Sequence, residues 1–374
     1  MTALNAIQLK PVFKLDQPDD SYKFLPLPAP SGKYPYHLPI EKVIPGISEH
    51  KIIFHVLGDT GSVRDPDNIG IVAAEMTRQY DCLEITDQPQ FLYHLGDIVY
   101  NHGEAEHYEQ QFFSPYKHYP APVFAIAGNH DSDINPANPV PYQSLDAFTK
   151  VFCDTVSSPV NFGGSTDRMS MIQPNIYWTL KTPLFNIIGL HSNVPKFGVI
   201  TPEQRAWFIE ELKTNNKERP GKALFVCLHH APYSADINHG SSLPMIEFLE
   251  GAFEETGIIP DIVLSGHVHN YQRFNKAYDN KNLTYVVAGA GGFDELHAVA
   301  QPTDERFTSD NQLFDDVKLV KYCDHTHGFL NIAVEKHING ITITGNYYSL
   351  AKKQQTDRIC ETALADQFVI RINS

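Results

Sequence analysis

The stretch Gly96-Asp97-Ile98-Val99-Tyr100 follows an apolar run, Phe91-Leu92-Tyr93-His94-Leu95. A short apolar run closed by turn residues reads as a strand buried on both faces, as in a parallel sheet. Gly-Asp at its end puts a carboxylate where the chain turns. In open α/β sheets the crevice outside the strand C-termini is where ligands bind. Tyr100 stands three residues further on, so a carboxylate and a phenol can reach the same cation. That arrangement needs partners from elsewhere in the chain.

The same pattern recurs on both sides. The run Lys51-Ile52-Ile53-Phe54-His55-Val56-Leu57 ends at Gly58-Asp59, and the run 122–127 ends at Gly128-Asn129-His130-Asp131. Between the first two runs, residues 67–80 carry Ile69, Val72, Ala73, Met76 and Tyr80 on one helical face. A weaker helical stretch spans 104–113. Strand, helix, strand, helix, strand is consecutive βαβ and predicts a parallel sheet. A second half repeats the logic. The run 223–228 ends at His229-His230, a helix is expected near 243–255, and Ile262-Val263-Leu264 leads to Ser265-Gly266-His267-Val268-His269. Asp59 to Asp97 is 38 residues (97 − 59) and His229 to His267 is 38 (267 − 229), each enough for one crossover unit. The intervening residues do not match, so these are two βαβ halves rather than a sequence repeat.

The remaining elements frame these halves. One helix is expected near 143–153 and a hairpin over 176–181 and 184–190. Thr201-Pro202-Glu203-Gln204 has the cap, first-turn proline and third-position Gln of a helix start. A strand is expected at 283–288, and 329–334, 341–347 and 368–372 read as antiparallel edge strands. Residues 293–327 are polar and acid-rich and read as a solvated insertion, with a lid or partner surface as the alternative. Loops 60–66, 132–142, 154–174 and 293–327 are the expected pocket walls. Residues 1–50 hold eight of the 26 prolines, a density that blocks helices and central strands. They read as an extended arm anchored by Phe13, Tyr22, Phe24, Tyr34 and Tyr36. Residues 51–374 form the catalytic domain.

Composition limits the function classes. The 374 residues are 42% hydrophobic and carry a net charge of −15. That charge argues against nucleic acid or an anionic membrane as partner. No run approaches the about 18 apolar residues of a transmembrane helix. No signal peptide is visible in Met1-Thr2-Ala3-Leu4-Asn5-Ala6. The expectation is a cytoplasmic protein if the chain is full length, and a secreted or periplasmic one if a signal was trimmed. Cys82, Cys153, Cys227, Cys323 and Cys360 contain no CxxC and read as reduced structural thiols. The oligomeric state is open.

The polar residues that end strands are Asp59, Asp97, Asn129, His229, His267 and His269, joined by Tyr100. Two carboxylates, a phenol, an amide oxygen and three imidazoles are too many donors for one ion. They suit two cations roughly 3.5–4 Å apart with one shared carboxylate.

Gly58-Asp59-Thr60-Gly61, Gly96-Asp97-Ile98-Val99-Tyr100, Gly128-Asn129-His130-Asp131, Val226-Cys227-Leu228-His229 and Gly266-His267-Val268-His269 resemble the five motifs of the calcineurin-like metallophosphoesterases. They come in order over 58–269, and Tyr100 with Asn270-Tyr271-Gln272-Arg273 resembles the purple acid phosphatase branch. The resemblance implies an α/β fold of four layers, α/β/β/α, with two mixed sheets flanked by helices. It implies one metal held by Asp59, Asp97, Tyr100 and His269, ferric iron in the family, whose charge transfer from Tyr100 gives the purple colour. It implies a second held by Asp97, Asn129, His229 and His267, which is zinc, manganese or ferrous iron. A hard phenolate favours the trivalent ion, and neutral amide and imidazoles suit the divalent one.

The expected activity is hydrolysis of a small phosphate ester by a metal-bound hydroxide, a phosphomonoesterase of acid phosphatase type. Alternatives are a phosphodiesterase or pyrophosphatase on the same scaffold, or a catalytically silent interaction module. His130, His239 and His230 are the candidate proton donors. The proline after the fourth motif is shifted by one, in His229-His230-Ala231-Pro232, so a register with His230 as ligand is the alternative to His229. Asp131 is expected to orient His130 or cap a turn, and His94, His102, His107, His191, His297, His325 and His327 are set aside as ligands.

Overall fold

The computed structural model describes residues 9–64, 67–279, 281–350 and 362–373. Cys360 and the first residues of the N-terminal arm lie outside these. Cys82, Cys153, Cys227 and Cys323 are all unpaired thiols.

Two sheets face each other. In one, the strands Lys51–Leu57, Leu92–His94 and Val123–Ala125 run parallel, and Gly328–His337, Gly340–Leu350 and Thr362–Asn373 extend it antiparallel from Lys51–Leu57. The other has eight strands, with Phe185–Gly189, Ala223–Leu228, Ile262–Ser265 and Lys281–Ala288 parallel at its centre. Their side chains follow the strand period of two. In Ala223–Leu228, Ala223, Phe225 and Cys227 enter the core between the sheets, while Leu224, Val226 and Leu228 face the helices outside. Phe54 at the centre of the inter-sheet core stacks on Phe91 and Phe185 with centroids 4.8 and 5.2 Å apart. The helices Pro202–Asn216 and Leu243–Thr256 cover the outer face of the eight-stranded sheet. Asp67–Cys82 and Asp146–Phe152 cover the outer face of the other. The result is the four-layer α/β/β/α sandwich.

Thr201 caps its helix as expected, its hydroxyl accepting from Gln204 N at 3.2 Å. Four expectations change. Residues 104–113 form only the short turns Ala105–His107 and Glu109–Phe113, the second a wide turn of five residues. Tyr271–Tyr278, unmarked by any apolar run, is a strand between Lys281–Ala288 and Val317–Cys323. Val317–Cys323 places a strand inside the supposed insertion 293–327. It buries Val317, Leu319 and Cys323 and exposes Lys318 and Lys321, charges that suit the outermost strand of its sheet. Of the three C-terminal strands only Thr362–Asn373 is an edge, because Gly328–His337 pairs with Lys51–Leu57.

Residues 9–50 run over both halves. Phe13–Lys14 pairs with Phe307–Thr308, and His37–Pro39 adds a parallel strand beside Trp178–Lys181. Among the described residues no helix is long and apolar enough to cross a membrane.

Candidate metal centre

The parallel strands of both sheets deliver their C-terminal ends to one place. Gly58 N donates to Ala288 O at 2.8 Å and His229 Nδ1 to Leu95 O at 2.8 Å, so the two sheets are tied at their mouths. Here the chain turns in the left-handed region. Asp59, Asp97 and His267 have φ of 59°, 54° and 67°. Such conformations cost on the order of 1–3 kcal/mol each and collect at functional sites.

Close approach explains the neighbouring glycines. A Cβ on Gly96 would lie 2.5 Å from Gly128 N and 2.7 Å from His229 Nδ1; one on Gly266 would lie 2.6 Å from Asp59 Oδ2. Asp131 binds the turns together, its carboxylate accepting from Ile98 N, Val99 N and Gly128 N at 3.0, 3.0 and 2.9 Å. It therefore secures the turns that carry Asp97 and Asn129, rather than touching the His130 ring.

The seven expected donors converge in two sets. The Tyr100 hydroxyl lies 2.9 Å from Asp97 Oδ2, 3.4 Å from Asp59 Oδ1 and 3.2 Å from His269 Nε2. Asn129 Oδ1 lies 3.1 Å from His229 Nε2 and 3.0 Å from His267 Nδ1, and His229 Nε2 is 3.3 Å from Asp97 Oδ2. Asp97 stands between the sets. His229, not His230, is the member of the second set. His230 is fully buried, with Nδ1 2.7 Å from Ser192 Oγ and its ring 4.3 Å behind that of His267.

These residues fit cations. His229 Nδ1 donates to Leu95 O and His269 Nδ1 to Glu295 O at 3.0 Å, which leaves each Nε2 lone pair directed at carboxylate, amide or phenol oxygens. An imidazole fixed by a carbonyl on its far nitrogen is the usual posture of a metal ligand. His267 Nε2 is buried without a hydrogen-bond partner.

The electrostatics agree. Burial pushes the Asp59 carboxyl well up, with neighbouring Asp97 adding to the rise. Burial also opposes the charged forms of Asp97 and His229, but their mutual attraction wins. It holds Asp97 below the carboxylate range and raises His229 to about 9. A proton on His229 answers the same local negative charge that a metal ion would. Burial, then Asp97, drive the Tyr100 phenol upward, so its ionisation calls for a cation.

A cavity of about 340 Å³ opens over Asp97, Tyr100, Asn129, His267 and His269. His130 and His239 stand on its wall, and His230 does not. His130 Nδ1 donates to Asn101 O at 2.7 Å. The His239 ring packs 4.1 Å from that of His267, and burial lowers it to about 3. Of the expected loop walls, 132–142 contributes Asp133 and 293–327 contributes Phe293 and His297, while 154–174 and the described residues 60–64 of the first loop contribute nothing.

Sequence reasoning missed His297, whose ring stacks 4.1 Å from His269, and Asp236, which lies 3.3 Å from His297 Nδ1. It also missed Asp20, Lys23 and Lys196 on the rim. The one available signal for this group was Ile237-Asn238-His239-Gly240, which marks the loop holding Asp236.

Known proteins place the arrangement. Residues 53–271 match the family model for calcineurin-like phosphoesterases. Purple acid phosphatase 1 of Ipomoea batatas is 27% identical over 248 residues, covering 64% of this chain and 46% of that protein. Purple acid phosphatase 21 of Arabidopsis thaliana is 30% identical over 134 residues, or 33% of this chain and 28% of that protein. The chain thus spans less than half the length of these curated relatives. Among solved structures, GAP50, the anchor in the inner membrane complex of Plasmodium, superposes with a TM-score of 0.56 at 14% identity, over 87% of this chain and 90% of that one. The purple acid phosphatase PPD1 from yellow lupin gives 0.53 at 17% identity, over 86% and 54%. Likeness at that identity speaks for the fold. With the family match spanning more than half of its residues, the chain belongs to the calcineurin-like phosphoesterases and resembles their purple acid phosphatase branch.

Proposed function

We propose that the protein is a binuclear phosphomonoesterase acting on small phosphate esters. The observation that carries the reading is the pair of donor sets sharing Asp97. Asp59, Tyr100 and His269 form one flank and Asn129, His229 and His267 the other. The phenol and two carboxylates suit ferric iron, and the amide and imidazoles suit zinc, manganese or ferrous iron. When bound, two cations supply Lewis acidity to the phosphoryl oxygens and to water.

The chain's own residues do the rest. His130 donates from Nδ1 to Asn101 O, so a proton it delivers to the leaving alkoxide sits on Nε2. His239, kept neutral by burial and standing on the cavity wall, serves as a hydrogen-bonding group for phosphate oxygens rather than as the acid. His230 takes no part, being sealed behind His267. The arm 1–50 is proposed to belong to the catalytic unit rather than to a separate domain.

The test compares p-nitrophenyl phosphate with its bis-ester and includes Asn129→Ala. The monoester should be preferred, and Asn129→Ala should lower turnover by at least about a hundredfold with folding intact. Preference for the bis-ester points to a phosphodiesterase instead. Near-normal turnover by Asn129→Ala defeats the site.

A further inference from the structure

We propose that the pocket contains a second anionic subsite, formed by Lys23 of the N-terminal segment and Lys196 of the loop after Phe185–Gly189, and that the preferred substrate carries a second phosphate or carboxylate beside the phosphate to be cleaved. This rests on the phosphatase reading above and narrows its substrate class.

In a chain of net charge −15, two lysines stand on the rim of the cavity that holds the metal-ligand candidates. The Lys196 ammonium is half-buried and, among the described residues, donates to Asn238 O at 3.3 Å. Burial, with nearby Lys14 second, lowers its pKa, so an arriving anion relieves an unfavourable environment. Lys23 is about half exposed and lies 3.4 Å from Asp20.

The rim is built, not loose. The Asp20 carboxylate accepts from Lys196 N at 3.2 and 3.1 Å. Leu25 N donates to Asn193 Oδ1 at 2.9 Å and Asn193 Nδ2 returns to Leu25 O at 2.8 Å. The N-terminal segment therefore fixes the loop that carries Lys196 and brings Lys23 to the same edge. Two other acids nearby have hydrogen-bond partners of their own. Asp133 pairs with His102 at 3.1 Å, and Asp236 accepts from Asn238 N, His239 N and Gly240 N at 2.9, 3.1 and 2.8 Å. Asp236 and Asp20 both favour the Lys196 ammonium, but burial and Lys14 outweigh them, so the protein answers its charge incompletely. A cavity of about 340 Å³ is of the size that holds a small ligand of two functional groups.

Butane-1,4-diol monophosphate and bisphosphate isolate the effect, because the bond cleaved and the leaving alkoxide are alike. Wild-type protein should show a KM about five- to tenfold lower for the bisphosphate, the scale of two partly exposed charge contacts. The Lys23→Gln/Lys196→Gln double variant should bring the ratio of the two KM values down to about two, the statistical factor of the bisphosphate's two equivalent ends, while its melting temperature stays that of the wild type. The proposal is overturned by wild-type KM values that differ by no more than that statistical factor, or by a ratio that the double variant leaves unchanged. If wild-type protein hydrolyses neither ester, the phosphatase reading fails on its own. Calorimetry with the same two compounds then decides the subsite, supported by tighter binding of the bisphosphate and overturned by equal Kd values.

Discussion

At the scale of single residues, the centre depends on atoms that are missing as much as on those present. Gly96 has φ of +96°, and its absent Cβ leaves room for Gly128 and the His229 ring. Gly96→Ala introduces both a strained backbone and a contact with backbone that cannot yield. We expect a loss of more than about 1 kcal/mol of stability together with loss of bound metal, read by thermal melting and metal analysis. Wild-type melting and metal content would remove the close-approach account. Tyr100 tests the opposite case, a residue whose packing can be kept while one atom goes. Its ring lies between those of His130 and Phe293, with centroids 4.2 and 4.4 Å away. Tyr100→Phe preserves that packing and deletes the hydroxyl beside Asp97. If the proposed ferric site is right, the expected result is a bleached visible absorbance with the iron retained; an unchanged spectrum would place the colour elsewhere. The seven donors were legible because each sits at or just beyond the end of an apolar strand. Lys23, Lys196, Asp236 and His297 were not. They sit in long loops without periodicity, and only the folded chain brings residues 20–23 beside 194–196 and 236–239.

At the scale of elements, the readable strands were those buried on both faces, such as Ala223–Leu228 and Ile262–Ser265. Tyr271–Tyr278 and Val317–Cys323 interleave polar side chains with apolar ones and lack a continuous apolar run, so composition hid them. The first of these has a role that its sequence does not announce. Arg273 donates to both oxygens of Asp366, at 2.7 and 3.0 Å, and the Tyr271 hydroxyl donates to the same carboxylate at 2.7 Å. Asp366 belongs to Thr362–Asn373, the edge strand of the other sheet, so this cluster fastens one sheet to the other. Burial opposes the ionised carboxyl, but Arg273 and Tyr271 overcome it and hold its pKa below the ordinary value. A depressed carboxylate stabilises the fold fully above its unfolded pKa of about 3.9 and loses that contribution as pH falls through the lower folded value. Asp366→Asn should therefore flatten the acid limb of the stability curve below about pH 4. At neutral pH, Asp366→Ala should cost about 3 kcal/mol by stranding Arg273. Urea unfolding between pH 2.5 and 7 measures both. Parallel curves for wild type and Asp366→Asn across the acid range would exclude the carboxylate as a cross-sheet tie.

At the scale of the molecule, the centre joins the halves that the sequence spacing outlined. Asp59, Asp97, Tyr100 and Asn129 follow strands of the six-stranded sheet, whereas His229, His267 and His269 follow strands of the eight-stranded one. Each donor set draws on both sheets, so each cation bound there clamps one sheet to the other. A silent interaction module would tolerate the loss of some of these donors, and all seven are present in contact. Among the described residues no lysine or arginine pairs with Asp59 or Asp97, while the His267 and His269 imidazoles are driven toward neutrality, first by burial and then by neighbouring histidines. Removing metal should thus leave the Asp97 carboxylate answered by a proton on His229 and drive buried Asp59 to take up a proton of its own. It should also remove the mass-action stabilisation of the folded state, about 4 kcal/mol when free metal is a thousand times its Kd. The chelated protein should melt well below the loaded one at neutral pH, and readdition of the proposed pair, a divalent ion with ferric iron, should restore the melting temperature and, on the binuclear reading, two metals per chain. A chelator-treated protein that is metal-free by analysis yet melts unchanged would mean that the sheets close without the cations, and the seven donors would then need another explanation for their burial.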